Sequence, residues 1–232
     1  MLVTCHQAYL LPALSFFAKW KASDGLVLLD QAQFVSQSAK FHYANRCALD
    51  GGRWYTIPVV RRLGQSISDA VVVDGWNPRS FVDRVRNDYR GARHGTEVLS
   101  GFRDVVMSWR GPRLVDLNVP LLRWSATLLG ISKPLWLQSE LLPCDLEDRD
   151  ERLAQLVRTV GGDSYLAGPS GRKYMNAEVY AAARLSLKVS RFRAEPYPRD
   201  GREWIPYLSV LDALCHCGAA VADLLNGEVE DW

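Results

Sequence analysis

The chain predicts an α/β domain: a layered structure with a mostly parallel sheet, an added hairpin and a helix-rich second half. Apolar runs of strand length alternate with segments of helical period along its 232 residues, which indicates helices layered on a parallel sheet. The first thirty residues hold a complete βαβ pattern, for which a right-handed parallel crossover is the default. Glycine and proline mark the ends of most of these segments.

In order, LVTCH (2–6) reads as a short buried strand, and Pro12 to Ala22 as a helix with Leu14, Phe17 and Trp20 at helical spacing. Asp24-Gly25 turns the chain into GLVLLD, a second apolar strand ending at Asp30. Segments 45–50 and 54–60 form a hairpin across Gly51-Gly52, and AVVVDG (70–75) reads as a further strand. Helices are expected at Pro78 to Arg90, Glu97 to Trp109, and Pro120 to Leu129 with Gly130 as the stop. PLWLQS (134–139) is a strand, Asp148 to Val160 a helix closed by Gly161-Gly162, and SYLAG (164–168) a strand. GPSGRKY (168–174) is a loop, Ala177 to Arg184 a helix, LSLKVSRF (185–192) a strand, and Tyr207 to Leu225 an apolar helix. The expected organisation is a single domain over 1–232, with 78–129 as a candidate helical sub-domain and 226–232 (GEVEDW) as a mobile acidic tail.

Composition narrows the function classes. The chain is 48% hydrophobic and 23% charged with a net charge of +2, a balance that offers no large nucleic-acid footprint. Of its 28 cationic residues 22 are arginine, the side chain suited to bidentate phosphate and carboxylate contacts. Cysteines 5, 47, 144, 215 and 217 are scattered, without a C-x-x-C pair. Cys215-His216-Cys217 would point in different directions from one helix, so no metal site is expected. Reduced thiols, the absence of a signal-peptide pattern at MLVTCHQ and the lack of any ~20-residue apolar run lead to the expectation of a cytoplasmic protein without membrane insertion.

Ligands of open parallel sheets bind beyond the carboxyl ends of the strands. Three polar clusters fall there: His6-Gln7-Tyr9, Asp30-Gln31-Gln33, and Ser170-Gly171-Arg172-Lys173. Helix N-termini follow the first and third, and their unpaired N–H groups favour anions. The last loop offers glycine backbone, a hydroxyl and two cations for a phosphate or carboxylate, and equally suits a plain solvent loop. Strand alternation sends Cys5 and His6 to opposite faces, so a thiolate–imidazole pair is not expected; Cys5 belongs in the core and His6 at the site. Asp212 lies within an apolar helix and needs a partner, a solvated cavity or a proton. Tyr9, Tyr165, Tyr174 and Tyr197 are candidate pocket walls, whereas His42 and His94 read as surface residues. A histidine closing the first strand is also the layout of nucleotidylyl-transferase and adenylate-forming folds, although HQAYLLP lacks their second histidine.

Taken in order, HQAYLLP with FF.K, VLLD.AQF, Asn45-Arg46, WYTIPV, Trp76, L..LN at 114–118, SYLAGPSGRKYM and W.PYLSVLDAL resemble the WbqC-like family over nearly the whole chain. Ala8 stands where that family usually has Pro, Ala13 where it often has Trp, and Gln31 where Asp is common. The resemblance implies a bacterial biosynthetic role in O-antigen, other surface polysaccharide or specialised-metabolite pathways, tailoring an unusual sugar or amine. Its matching positions are His6, Gln7, Pro12, Asp30, Gln33, Asn45, Arg46, Asp116, Asn118, Gly168, Gly171, Tyr174, Ser209 and Asp212. The expected activity is a transferase or amide-forming enzyme using a phosphate-bearing activated donor. His6 would be general base or phosphate stabiliser, and Asp30 or Asp212 would orient it or the incoming amine. Gln7, Tyr9, Gln33, Asn45, Arg46, Asn118, Ser170, Gly171, Arg172, Lys173 and Tyr174 would bind substrate. A carrier protein, coenzyme A or charged tRNA could supply an acyl group; no particular cofactor is indicated. The alternatives are adenylate or nucleotidyl transfer, and a non-catalytic binding subunit of a biosynthetic complex.

Overall fold

The computed structural model describes residues 1–35, 43–141 and 148–232. His42 and Cys144 lie outside them. Among the described residues a six-stranded sheet has the order β5-β2-β1-β6-β7-β8. Its strands are β1 (Leu2–His6), β2 (Gly25–Leu28), β5 (Leu135–Leu137), β6 (Ser164–Ala167), β7 (Ser186–Phe192) and β8 (Gly227–Asp231). All pairings are parallel except β7 with β8. The strands β3 (Arg46–Ala48) and β4 (Trp54–Thr56) form the separate antiparallel hairpin. The mixed α/β class with a mostly parallel sheet and an added hairpin is as the sequence predicts.

The opening βαβ unit consists of β1, α1 (Leu14–Ala22) and β2, with His6 opposite Leu28 in the parallel register. Gly25 at the start of β2 lets Trp136 of β5 pass close: a Cβ there would sit 2.4 Å from the indole. The helices α2 (Pro78–Asp88), α3 (Gly95–Ser108) and α4 (Val115–Leu128) follow the hairpin. The short α5 (Gln138–Leu141) follows β5, α6 (Arg149–Thr159) precedes β6, α7 (Ala177–Ala182) precedes β7, and α8 (Val210–Cys217) follows the 193–209 strap.

Both faces of the sheet are covered, as a parallel sheet requires. On one side an apolar cluster joins Phe17 of α1 and Leu28 of β2 to Phe102, Leu121 and Leu214 of the helical layer. On the other, Val3, Cys5 and Val27 pack against Leu156 and Val157 of α6 and Tyr180 of α7. The Cys5 and His6 side chains therefore leave opposite faces of β1, as the strand alternation requires, although Cys5 also reaches the wall of a cavity that His6 lines at the end of the strand. Cys5 is 4% exposed in the smaller core, while His6 packs its ring edge-on against Tyr9 and Phe16, 4.7 Å from each.

Four expectations need correction. The acidic end is not a loose tail but β8, held by Lys188–Asp231 and Arg191–Glu230 ion pairs that match its acids to the basic β7. Helix α4 begins at Val115, not at Pro120; Pro120 lies inside it, and burial of Val115 and Leu117 outweighs the one backbone hydrogen bond a proline forfeits. AVVVDG is not a strand of the sheet: its Val71 and Val72 make only isolated bridges, to Arg113 and Val59. The last helix is confined to Val210–Cys217, where Gly218 at φ +58° ends it, and a 3-10 segment continues to Leu224.

A candidate ligand site at the switch point of the sheet

From β1 the chain builds outward through β2 to β5, and then returns to the other side of β1 for β6 and β7. The order thus reverses between β1 and β6. That crevice, beyond the carboxyl ends of the two strands, is where open α/β sheets bind ligands. His6 closes β1 and Gly168 follows β6, and two adjoining cavities open there. His6 and Tyr9 line both.

The first cavity, of about 500 Å3, is cationic. Lys19 of α1 and Arg149 and Arg152 of the first turn of α6 line it with Gln7, Gln33, Gln138 and Tyr174, and among the described residues no Asp or Glu does. Arg149 is fixed by Asp150, by the Tyr174 carbonyl at 2.7 Å, and by its stacking over the Tyr174 ring. Lys19 donates to the Cys5 carbonyl at 3.0 Å. Burial lowers its pKa to about 8, the Cys5 thiol opposing this.

The second cavity, of about 630 Å3, has aromatic walls. Tyr43 stacks on Trp54 at 5.5 Å, and the Arg46 guanidinium lies 4.7 Å from the Trp54 ring, an ordinary cation–π distance. Tyr207, Pro206 and Ser170 complete it, and the N-terminus of α1 opens on it at Ala13, which makes no side-chain cap. Leu11 and Tyr207, both on this wall, hold positive φ values of 43° and 60°. Such conformations cost non-glycine residues about 1–3 kcal/mol and cluster at ligand sites.

His6 sits between the two cavities. Its Nδ1 lies 3.1 Å from the Gln7 carbonyl, which can only accept, so Nδ1 carries the proton and Nε2 presents a lone pair. Burial, and then the charge of Lys19, lower the imidazole pKa to about 3, the Gln7 contact acting the other way. The ring is therefore neutral near pH 7. Its tautomer suits accepting a proton better than donating to a phosphate. The Cys5 thiol, raised to about 12 by burial, is a poor nucleophile.

Several expected site residues serve the scaffold of this crevice. Asn118, fully buried in α4, donates to the carbonyls of Ala8 and Ala44 and so ties the segment after His6 to the hairpin. Asn45 donates to Ile57 O at the hairpin base. Asp30 stands at the same sheet edge as His6, as the βαβ geometry requires, but its carboxylate accepts from Ser139 N and Oγ at 3.0 and 2.5 Å. Asp212 is not beside His6 in either cavity wall: it receives both Arg199 Nε (2.9 Å) and Nη2 (2.8 Å), and Tyr197 O–H at 2.7 Å. Gly171 is buried in the 168–174 loop; Arg172 turns to the Asp231 carbonyl, and Lys173 is exposed. Neither cation lines a cavity, whereas Ser170 and Gly168 do. Of the tyrosines, Tyr9 and Tyr174 reach the cavities with Tyr165, while Tyr197 belongs to the Arg199 network. His94 and Asp116 lie away from these walls, Asp116 pairing with Arg113. The residues not anticipated are Lys19, Arg149, Arg152 and Gln138 in the first cavity and Tyr43, Trp54 and Tyr207 in the second. Among the described residues no group of His, Cys, Asp and Glu could hold a metal ion, and no helix is long and apolar enough to cross a membrane.

Fold and crevice together define an α/β protein with a polar, cationic crevice, a candidate ligand site, at the switch point of its sheet. The model of the WbqC-like protein family matches residues 7–223, and the chain belongs to that family. It is also similar to a Mycobacterium tuberculosis (strain ATCC 25618 / H37Rv) protein described as "Uncharacterized protein Rv1507c", with 27% identity over 232 residues and 97% of each chain covered. No solved structure matches.

Proposed function

We propose that this protein is a cytoplasmic biosynthetic transferase or amide-forming enzyme that modifies an amine or amino sugar with a phosphate-bearing activated donor. The observation that carries this is the juxtaposition at His6: a cationic cavity with no lining carboxylate among the described residues on one side, an aromatic-walled cavity on the other. Three cations in a half-enclosed space favour phosphate oxygens, because low dielectric strengthens each contact. The aromatic wall suits the flat or ring-shaped remainder of the donor or acceptor, which favours a nucleotide-linked donor over a bare acyl phosphate. A carrier protein or charged tRNA as acyl source would have to present its acyl group at the same opening.

In the step this arrangement supports, the acceptor amine attacks the electrophilic carbon of the donor with its lone pair. The bond to the leaving phosphate breaks, and its electron pair departs with the phosphate. The amine proton passes to Nε2 of His6, which is unprotonated for the task. Gln7 positions the imidazole through its backbone carbonyl. Nucleotidyl transfer on the same layout would use the same cavity with phosphorus as the electrophile.

Mass spectrometry of small molecules released from natively purified protein tests this proposal. A phosphate-bearing ligand is expected, with His6→Gln retaining it but losing about 100-fold in turnover once the acceptor is supplied. A specifically retained ligand without phosphate or other anionic group, or full turnover by His6→Gln, would end it.

A further inference from the structure

The cations of the crevice are not equivalent. Arg149 is committed to Asp150 and the Tyr174 carbonyl. Lys19 reaches the cavity from the second half of α1, between the buried Ala18 and Trp20, and spends one donor on the Cys5 carbonyl. An ammonium has three donors. Among the described residues no carboxylate forms an ion pair with it, and the Cys5 thiol that favours its charge is itself kept protonated by burial. A half-buried cation without a counter-charge is costly unless something supplies one. The backbone bond to Cys5, the residue before His6, also fixes where that charge lies relative to the imidazole.

From this geometry we infer that Lys19 is the residue that holds the anionic group of the ligand against His6, the ligand's phosphate serving as its counter-ion. This rests on the proposed function and divides the labour within it. Lys19 stays an ammonium throughout and stabilises the charge that builds on the departing phosphate, while His6 takes the amine proton. Bringing a dianion beside Lys19 also offsets the charge that most disfavours a protonated His6 after burial itself, so donor binding raises the basicity of His6 when it is needed. One residue thus serves two ends.

Calorimetric titration with inorganic pyrophosphate at pH 7 and moderate salt tests the assignment. The wild-type protein should bind; Lys19→Met should weaken binding by about 10- to 100-fold, the loss of one charge-assisted contact, and Lys19→Arg should fall between the two. Binding by Lys19→Met within twofold of wild type overturns the inference and leaves the proposed function standing. Wild-type protein that does not bind pyrophosphate at all overturns both. Reductive methylation of the wild-type chain, mapped by mass spectrometry, does not depend on the variants folding. Saturating pyrophosphate should protect Lys19 and not Lys21, which is exposed on the same helix; equal methylation of Lys19 with and without pyrophosphate would refute the contact.

Discussion

Replacing Asp212 by Asn should unfold the protein more readily rather than silence a catalytic group. Asp212 is fully buried and Arg199 2% exposed at its side chain, and the pair is bidentate. Arg199 Nη2 also reaches Asp50 at 2.6 Å, and Arg202 pairs with the other oxygen of Asp50 at 2.9 Å. Two cations and two anions thus balance across α8, the 193–209 strap and the turn of the hairpin. Removing one partner of a buried pair costs about 3–5 kcal/mol because the other charge is stranded. Asp50 still faces Arg199 in the variant, which places the expected loss near the lower end, about 3 kcal/mol. For a chain of this size that corresponds to a fall in Tm of about 6–12 °C. Urea unfolding followed by circular dichroism measures it directly. The double variant Arg199→Met/Asp212→Leu should lose less than either single variant, since no buried charge remains unpaired. Asp212→Asn that melts with wild type and has lost its activity would refute this account and return Asp212 to the catalytic group. The network also predicts acid lability. Burial works to raise the Asp50 pKa, but hydrogen bonds and charge from Arg199 and Arg202 outweigh it and hold it below the ordinary value. A depressed carboxylate stabilises the fold above its unfolded pKa, and that contribution fades as pH drops below about 4.

Cys5→Ala should cost about 1–2 kcal/mol as a small cavity in the core between β1 and α6, with turnover unchanged; a stable but inactive variant would instead indicate thiol chemistry. His6 is held neutral by burial, so between its unfolded pKa near 6.5 and its lowered folded one the unfolded chain binds the extra proton, and stability falls as pH falls through that window. His6→Phe should therefore melt higher relative to wild type at pH 4.5 than at pH 7.5; an unchanged difference would show that His6 is not kept neutral. Gly171→Val should destabilise the 168–174 loop by about 1–3 kcal/mol, because a Cβ there meets Met175 Sδ at 2.9 Å and Ala167 Cβ at 3.0 Å; a melting curve identical to wild type would mean that the loop yields freely.

The parts of the site that follow from local periodicity were legible in the sequence. Strand alternation alone separates Cys5 from His6, and the βαβ pattern alone brings His6 and Asp30 to one edge. The need of Asp212 for a partner was also visible from its apolar helix. Its partner was not, because Arg199 sits in the irregular PYPRDG stretch with no period to read. Lys19 was hidden for a different reason: in FFAKW it looks like a solvent-facing break in an apolar helix, and only the packing of α1 against the sheet turns it toward the end of β1. Arg149 and Arg152 read as ordinary first-turn charges of α6 until the β1–β6 reversal places that turn over the crevice. In GPSGRKY the composition suggested an anion loop, but Arg172 turns to the Asp231 carbonyl and Lys173 is exposed, outside both cavity walls. The pairing of GEVEDW with β7 could have been suspected from the complementary charges of KVSR and EVED, yet no local signal distinguishes such an edge strand from a tail.

The proposed chemistry turns on a neutral, Nδ1-protonated His6 beside an anion-binding cavity. Nitrogen-15 NMR of the histidine side chains, with His6 assigned by the His6→Gln spectrum, observes it directly. The expected result is the Nδ1–H tautomer, no titration of His6 between pH 5 and 8, and a shift of its Nε2 resonance on adding pyrophosphate. An Nε2–H tautomer, a His6 pKa near 6.5, or a spectrum indifferent to pyrophosphate would contradict it.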